Sequence, residues 1–429
     1  MSKSGWLKSL RASTQQDWVA SICCILMMTG FVFSRALLTI ALVLMFLNAL
    51  LPGSLRENVH RLRSNKFALL AALFFFTYAL SGLWSDDKIQ WWLELEIKLP
   101  FLLMPLAMLS APLHKPKFQK VIIVGVLTAL LGGIIHSLFY YYFNTSGRSI
   151  HFPLPTMDGD YIRFTLALVL SIPLALFLLL SGLHKPVKKS LRVFLIFWIL
   201  AAIVYIHLQA AKSGLIGLYL TGLFYLIVAL RKGKYPKLIL SGFVIGLLVL
   251  ILAALKLPNV ESQIKRTKYE YEVWSSGDVS RYNKTASFIP RLNSYEVAWV
   301  VIKNNWLLGT GAGDIETTLS KNYNELFPSF VKRRQLIPHN QFLYTAVAVG
   351  LPLTAILILM VAFPFTQQLG HRIFTWPSGI VLFASLLIEA MLEVQYGVFV
   401  YLFFTLFWMS VFQREVGAEK AGLEPGYKN

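Results

Sequence analysis

Pro338-His339-Asn340-Gln341 runs straight into FLYTAVAVGLPLTAILILMVAF, residues 342–363. No charge interrupts that run. At 1.5 Å rise per residue it is long enough to cross the ~30 Å hydrocarbon core of a bilayer. Immediately upstream lies the longest polar stretch of the chain, residues 257–339. A polar segment re-entering a membrane helix through a histidine decides both what the fold is and where chemistry is to be sought. An imidazole has an unperturbed pKa near neutrality, which suits it to proton transfer.

Working outward, apolar runs of the same kind recur at 18–33, 35–52, 66–84, 97–111, 119–143, 162–182, 191–209, 213–230, 237–256, 340–363, 374–390 and 394–412. They predict an all-α polytopic membrane protein with about 12 transmembrane helices, read as one integral membrane domain over residues 1–429. Composition agrees: 56% of the 429 residues are hydrophobic, 14% are charged and the mean hydropathy is +0.61. A soluble chain of this length could not hide so much apolar surface. The first run follows Lys3, Lys8 and Arg11 like a signal peptide, but no small-residue cleavage site follows it, so a retained helix is expected. The two cysteines, Cys23 and Cys24, are adjacent inside that run and indicate neither a disulfide framework nor a metal site.

The formal charge of +19 is distributed in short clusters between apolar runs, which argues against nucleic-acid binding and for membrane orientation. The basic connections are Arg56/Arg61/Arg63/Lys66, Lys115/Lys117/Lys120, Lys185/Lys188/Lys189/Arg192 and Arg231/Lys232/Lys234/Lys237. The intervening ones carry Asp86/Asp87/Glu94/Glu96, Asp158/Asp160 and Glu389/Glu393. By the positive-inside rule both termini are cytoplasmic and residues 257–339 lie outside. That segment is too long for an unstructured loop. Arg291, Tyr295, Ala298 and Ile302 share a helical face there, with Leu292, Trp299 and Trp306 as an apolar stripe beside it. Pro290 suits the first position of that helix, and Asp314 suits an N-cap with Glu316 in the first turn. Residues 257–339 are therefore expected to form a cap of amphipathic helices.

Four cationic or titratable side chains stand at the outer boundary. Arg291 is suited to clamp an anion, because a guanidinium fork matches phosphate oxygens; the plainer alternative is a solvated or headgroup-pairing arginine. Lys212, in the short connection 209–214, can bind phosphate as a point charge or snorkel to headgroups. Arg163 opens a span after Asp158, Asp160 and Tyr161, and either faces the same cavity or pairs with Asp160 or with lipid phosphate. His339 follows Lys332-Arg333-Arg334, a run that draws in an anionic substrate or, the favoured reading, contacts lipid headgroups; His339 itself is either a proton acceptor or an interfacial histidine donating to a backbone carbonyl. His136 and His207 are weaker candidates. Gly309-Thr310-Gly311-Ala312-Gly313 looks like a nucleotide loop but lacks the flanking strand and the phosphate lysine, and Asp314 would repel phosphate, so it reads as a turn. No metal-binding motif and no serine-hydrolase elbow occurs, and no cofactor is expected.

The stretches Ala211-Lys212-Ser213-Gly214-Leu215-Ile216, Arg291 through Trp299, Asn305-Trp306-Leu307-Leu308-Gly309-Thr310-Gly311 and Pro338-His339-Asn340-Gln341-Phe342-Leu343 resemble motifs of the O-antigen ligase and O-antigen polymerase superfamily. Their order matches too, with one large periplasmic loop late in the chain and a His-Asn pair where it re-enters the membrane. Many members carry arginine where this chain has Lys212; the charge survives and the bidentate fork does not. The resemblance implies transfer of glycan from a polyprenyl (undecaprenyl) diphosphate carrier to a sugar acceptor at the periplasmic face of the bacterial inner membrane. On that basis His339 is the expected base, and Arg291, Arg163 and Lys212 bind diphosphate, with no metal and with inversion. The lipid A–core acceptor of a ligase is favoured over the glycan acceptor of a polymerase; protein glycosylation is a third version. A transporter would instead place ionisable groups near mid-span, and a scaffold needs no charged cavity.

Overall fold

The computed structural model describes residues 3–51, 55–144, 154, 156, 159–181, 188–232, 237, 240–242, 246, 248, 258–276, 288–328, 335–366 and 372–420. Every regular element among them is helical. In chain order these are α1 (Lys3–Phe33), α2 (Arg35–Ala49), α3 (Leu55–Ser64), α4 (Lys66–Ser81), α5 (Lys88–Lys98), α6 (Pro100–Leu109), α7 (Pro116–Asn144) and α8 (Tyr161–Ser181). There follow α9 (Lys189–Gln209), α10 (Lys212–Lys232), α11 (Pro258–Ser276), α12 (Phe288–Asn304), α13 (Ile315–Leu326), α14 (Gln341–Ala362), α15 (Arg372–Ile388) and α16 (Gln395–Lys420).

Among the described residues, seven helices are long and apolar enough to cross a membrane: α1, α7, α8, α9, α10, α14 and α16. The count becomes eight if α3 and α4, bent by 81° at Asn65, form one broken span. The other expected spans differ for identifiable reasons. α2 and α15 are apolar but short. The run at 97–111 is split at Leu99 into α5 and α6. The run at 237–256 lies largely outside the described residues. Large apolar side chains such as Leu83, Ile89 and Phe139 stand exposed, as expected where the surrounding solvent is lipid.

α16 and α8 form the centre, with 89% and 78% of their apolar windows buried, whereas α9 and α10 are peripheral at 28% and 22%. One arginine of the basic α3 also serves packing: Arg61 Nη1 donates to the Leu109 carbonyl at the end of α6 (3.2 Å), satisfying an orphan acceptor where a cation favours the helix dipole.

α14 is broken in its middle. Gly350 has φ 81° and ψ 167°, and Pro352 has no N–H to offer the Ala348 carbonyl. The freed backbone groups, two acceptors and one donor, are met by residues 306–311. Thr310 N donates to Val347 O (2.8 Å), Gly311 N to Ala348 O (3.0 Å), and Leu351 N to Trp306 O (2.8 Å). The glycine-rich run expected to be a turn is thus a strap laid into the break. A Cβ on Gly350 would stand 2.4 Å from Leu307 O, so the close approach requires glycine. Asp314 precedes α13, but its carboxylate does not cap that helix; it accepts the amides of Asp86 (2.7 Å) and Asp87 (3.0 Å) instead. The strap is thereby tied to the entry of α5.

Candidate functional site

The site forms where α8, α12, α14 and α15 meet, and Glu389 is its hub. Glu389 follows the last residue of α15, where a carboxylate opposes the helix dipole. Cations offset that cost. Arg163 Nη2 donates to Glu389 Oε2 (3.0 Å). Arg291 Nη2 stands 3.7 Å and His339 Nδ1 3.8 Å from the other oxygen, Oε1. Three of the four expected residues therefore converge on one carboxylate that sequence reasoning treated only as part of an acidic connection.

The two arginines differ in what they have left to give. Arg163 lies in the first turn of α8. Asp160 Oδ1 accepts its backbone N–H (3.1 Å) and lies 3.5 Å from its Nη1. Both guanidinium ends are thus occupied by carboxylates, as in the alternative reading of Arg163, and its Nε is buried without a partner. Arg291 opens towards solvent, its side chain 33% exposed against 13% for Arg163. It keeps most of its five donors for an incoming anion. α12 begins at Phe288, so Pro290 sits at its third rather than first position. The buried face is Val297, Ala298, Val301 and Ile302; the expected stripe residues Trp299 and Trp306 are exposed instead.

His339 is held by its backbone. The Tyr295 hydroxyl, one turn after Arg291, donates to the His339 carbonyl (2.9 Å). Tyr323 of α13 donates to the Leu336 carbonyl (2.9 Å) and Ser320 to Gln335 Oε1 (2.7 Å). Asn340 caps α14, its Oδ1 accepting the amides of Phe342 (2.9 Å) and Leu343 (3.1 Å), while Nδ2 donates to Leu387 O of α15 (3.1 Å). The segment that carries the histidine is therefore tied to α12, α13, α14 and α15. Burial, then the positive charges of Arg291 and Arg163, push the imidazole down to about 4. It is neutral near pH 7, the state a proton acceptor needs.

Lys212 stands apart. The turn between α9 and α10 places Ala210 in the left-handed region at φ 51°, a conformation L-residues adopt at a cost of about 1–2 kcal/mol. Gln209 steadies that turn by exchanging two hydrogen bonds with the backbone of Leu154 (2.6 and 2.9 Å). Gly214 lets α10 approach α8 at Thr165, two residues beyond Arg163. Lys212 itself is exposed and lines an open cleft of about 550 Å³ with Leu215, Ile264, Thr267, Lys268 and Tyr271. Among the described residues it makes no ion pair. Lys332, Arg333 and Arg334 lie outside the described residues. His207 is a core histidine, its two nitrogens occupied by Ile203 O (2.8 Å) and Tyr219 Oη (3.1 Å). His136 packs between Phe33 and Tyr140.

Helices of this length and apolarity, with a histidine and two arginines gathered where several of them end, define a multi-pass membrane protein with a charged site. Residues 195–358 match the family model described as O-antigen ligase, and over that stretch, rather more than a third of the chain, it is similar to the O-antigen ligase superfamily. The match supports a membrane glycosyltransferase-like enzyme of ligase or polymerase type. It covers Lys212, Arg291 and His339; Arg163 and Glu389 fall outside it. No curated protein matches the chain.

Proposed function

We propose that this protein is an O-antigen ligase that transfers glycan from a polyprenyl diphosphate carrier to a sugar of the lipid A–core. The observation that carries the reading is a neutral imidazole held beside an open arginine at the mouth of a membrane bundle. An acceptor hydroxyl is a poor nucleophile near pH 7, and a positioned base is worth ~10²–10⁴-fold. His339 takes the hydroxyl proton while the oxygen attacks the anomeric carbon. The bond from that carbon to the diphosphate breaks, and its electron pair leaves on the diphosphate oxygen. Arg291 neutralises the charge that develops there. Attack opposite the leaving group inverts the anomeric centre.

Arg163 acts chiefly through Glu389, with Asp160 holding its other end. Lys212 and Lys268 line the neighbouring cleft, where a phosphate entering from the lipid meets positive charge. The chain is read as one membrane domain of the bacterial inner membrane, both termini cytoplasmic, with residues 257–339 forming a periplasmic cap over the site. A polymerase shares the donor and the base and differs in the acceptor, so the acceptor is what must be tested. In a strain lacking the protein, bare core with full-length glycan stranded on its carrier is the outcome expected for a ligase; core bearing a single repeat would mean a polymerase. A His339→Ala copy should leave either defect uncorrected, and restoration of the normal pattern by that copy would remove His339 as the base.

A further inference from the structure

Behind the site lies a buried polar cluster that the reaction above does not use. The Lys98 side chain is 0% exposed. Its Nζ donates to Glu393 Oε2 (2.5 Å) and to the Leu392 carbonyl (2.9 Å), and lies 3.4 Å from Glu94 Oε2. The second oxygen of Glu393 accepts from Gln341 Nε2 (2.5 Å), and Gln341 Oε1 accepts the amide of Leu392 (2.7 Å). The Tyr344 hydroxyl donates to Glu94 Oε1 (3.2 Å).

A buried ion pair is a weak stability device, because desolvation consumes most of its attraction; its better-attested use is to fix register. The register fixed here is specific. Gln341 lies two residues after His339, and Glu393 lies four residues after Glu389. The amide of Gln341 bonds both a side chain and a main-chain group of the 390–393 turn, which clips one segment to the other. Lys98 then holds that turn from below. His339 and Glu389 are 3.8 Å apart, too far for a hydrogen bond to set their separation. Something other than direct contact must hold them.

We propose that Gln341, Glu393 and Lys98 are positioning residues for the transfer step, fixing the His339 imidazole relative to the Glu389–Arg291 pair. The inference rests on the reading of His339 as the base. Displacement of a reacting group by about 1 Å costs ~10²-fold in rate, so loosening the clip should reach kcat before binding.

The test uses the full-length protein in proteoliposomes with a polyprenyl-diphosphate-linked glycan donor, assayed with lipid A–core and with free glycan as acceptors. Gln341→Ala should lower kcat by roughly 10–100-fold with donor KM changed less than about twofold. Gln341→Glu and Glu393→Gln should each lower kcat as well. The exchange Gln341→Glu/Glu393→Gln restores an amide–carboxylate bond in reverse and should recover kcat at least about tenfold above either single variant. Wild-type kcat in Gln341→Ala overturns the proposal. So does an exchange variant whose thermal unfolding recovers while kcat does not, since that is what a merely structural contact would give. Full activity of His339→Ala would instead defeat the base assignment on which the proposal stands, whereas an inactive His339→Ala beside a normal Gln341→Ala defeats the positioning role alone.

Discussion

Glu389 sets the chemistry of its neighbours by deciding which arginine is free. It holds Arg163 at 3.0 Å and leaves Arg291 a looser 3.7 Å contact, so Arg291 is the more open of the two to an incoming anion, the proposed diphosphate among them. This has a consequence for pH. The imidazole of His339 sits near 4 because it is buried and because Arg291 and Arg163 repel its proton. In the free protein the base form therefore persists far below the ordinary histidine range, and the acid limb of kcat/KM should fall near pH 4–5 rather than near the unperturbed value of about 6.5. A bound diphosphate cancels part of the arginine charge, so the acid limb of kcat should lie at higher pH than that of kcat/KM. Pairs of pH–rate profiles measure both; coincident limbs near pH 6.5 would contradict the assignment. Stability moves in the same direction: the unfolded chain binds more protons between about 4 and 6.5, so the folded state loses stability as pH falls through that window. His339, Arg291 and Arg163 could be read from the sequence, because cationic and titratable groups at the ends of apolar runs stand out there. Glu389 could not. Its partner Arg163 is 226 residues away, and an isolated carboxylate at a helix end reads as topology.

At the level of elements, the break in α14 shows where hydropathy stops informing. The run 341–362 is uniformly apolar and reads as one helix, and glycine and proline are both tolerated in membrane helices when other groups satisfy the freed backbone. That α14 breaks at Gly350 depends on donors from Thr310 and Gly311, which no local pattern connects to it. The same limit explains α5 and α6, where Lys98 stands inside an apolar run and its carboxylate partners, Glu94 and Glu393, lie outside it. Helix at 288–304 and 315–326 was legible from spacing, but the buried face of the first was not: Trp299 and Trp306 outrank Val297 and Val301 in size, yet the small β-branched residues pack inward. The strap gives a sharp stability prediction. Gly350→Ala combines a positive φ with a 2.4 Å approach to Leu307 O and should destabilise by about 1–3 kcal/mol. Gly242 has open space around its Cβ position, so Gly242→Ala should be neutral or mildly stabilising. Unfolding of the purified variants in mixed micelles compares the two, and equal behaviour would remove the strap as a structural element.

Across the whole molecule, charge is distributed unevenly between the two ends of the bundle, and that asymmetry predicts an orientation. The connections before α4 and before α7 are basic, with Arg56, Arg61 and Arg63 on α3 and Lys115, Lys117 and Lys120 around the start of α7. Asp86, Asp87, Asp160 and Glu389 mark the opposite ends. The structure groups these acidic ends with the strap, α12, α13 and His339, since Asp314 binds the amides before α5 and Arg163 binds both Asp160 and Glu389. One end of the bundle is thus basic and the other carries the site, which is the asymmetry the positive-inside rule converts into direction. Cysteine labelling tests it with little background, because Cys23 and Cys24 are 3% and 0% exposed and a buried thiol is inert. Lys321→Cys on the exposed side of α13 should react with a membrane-impermeant maleimide added to cells whose outer membrane alone has been opened. Arg56→Cys on α3 should react only once the inner membrane is also breached. The reverse pattern would turn the site towards the cytoplasm and overturn the proposed transfer at the periplasmic face. Labelling of both positions from outside would instead mean that α3 and α4 form a re-entrant pair rather than one bent span, and the 81° angle between them would then mark a loop that dips into the bilayer and returns.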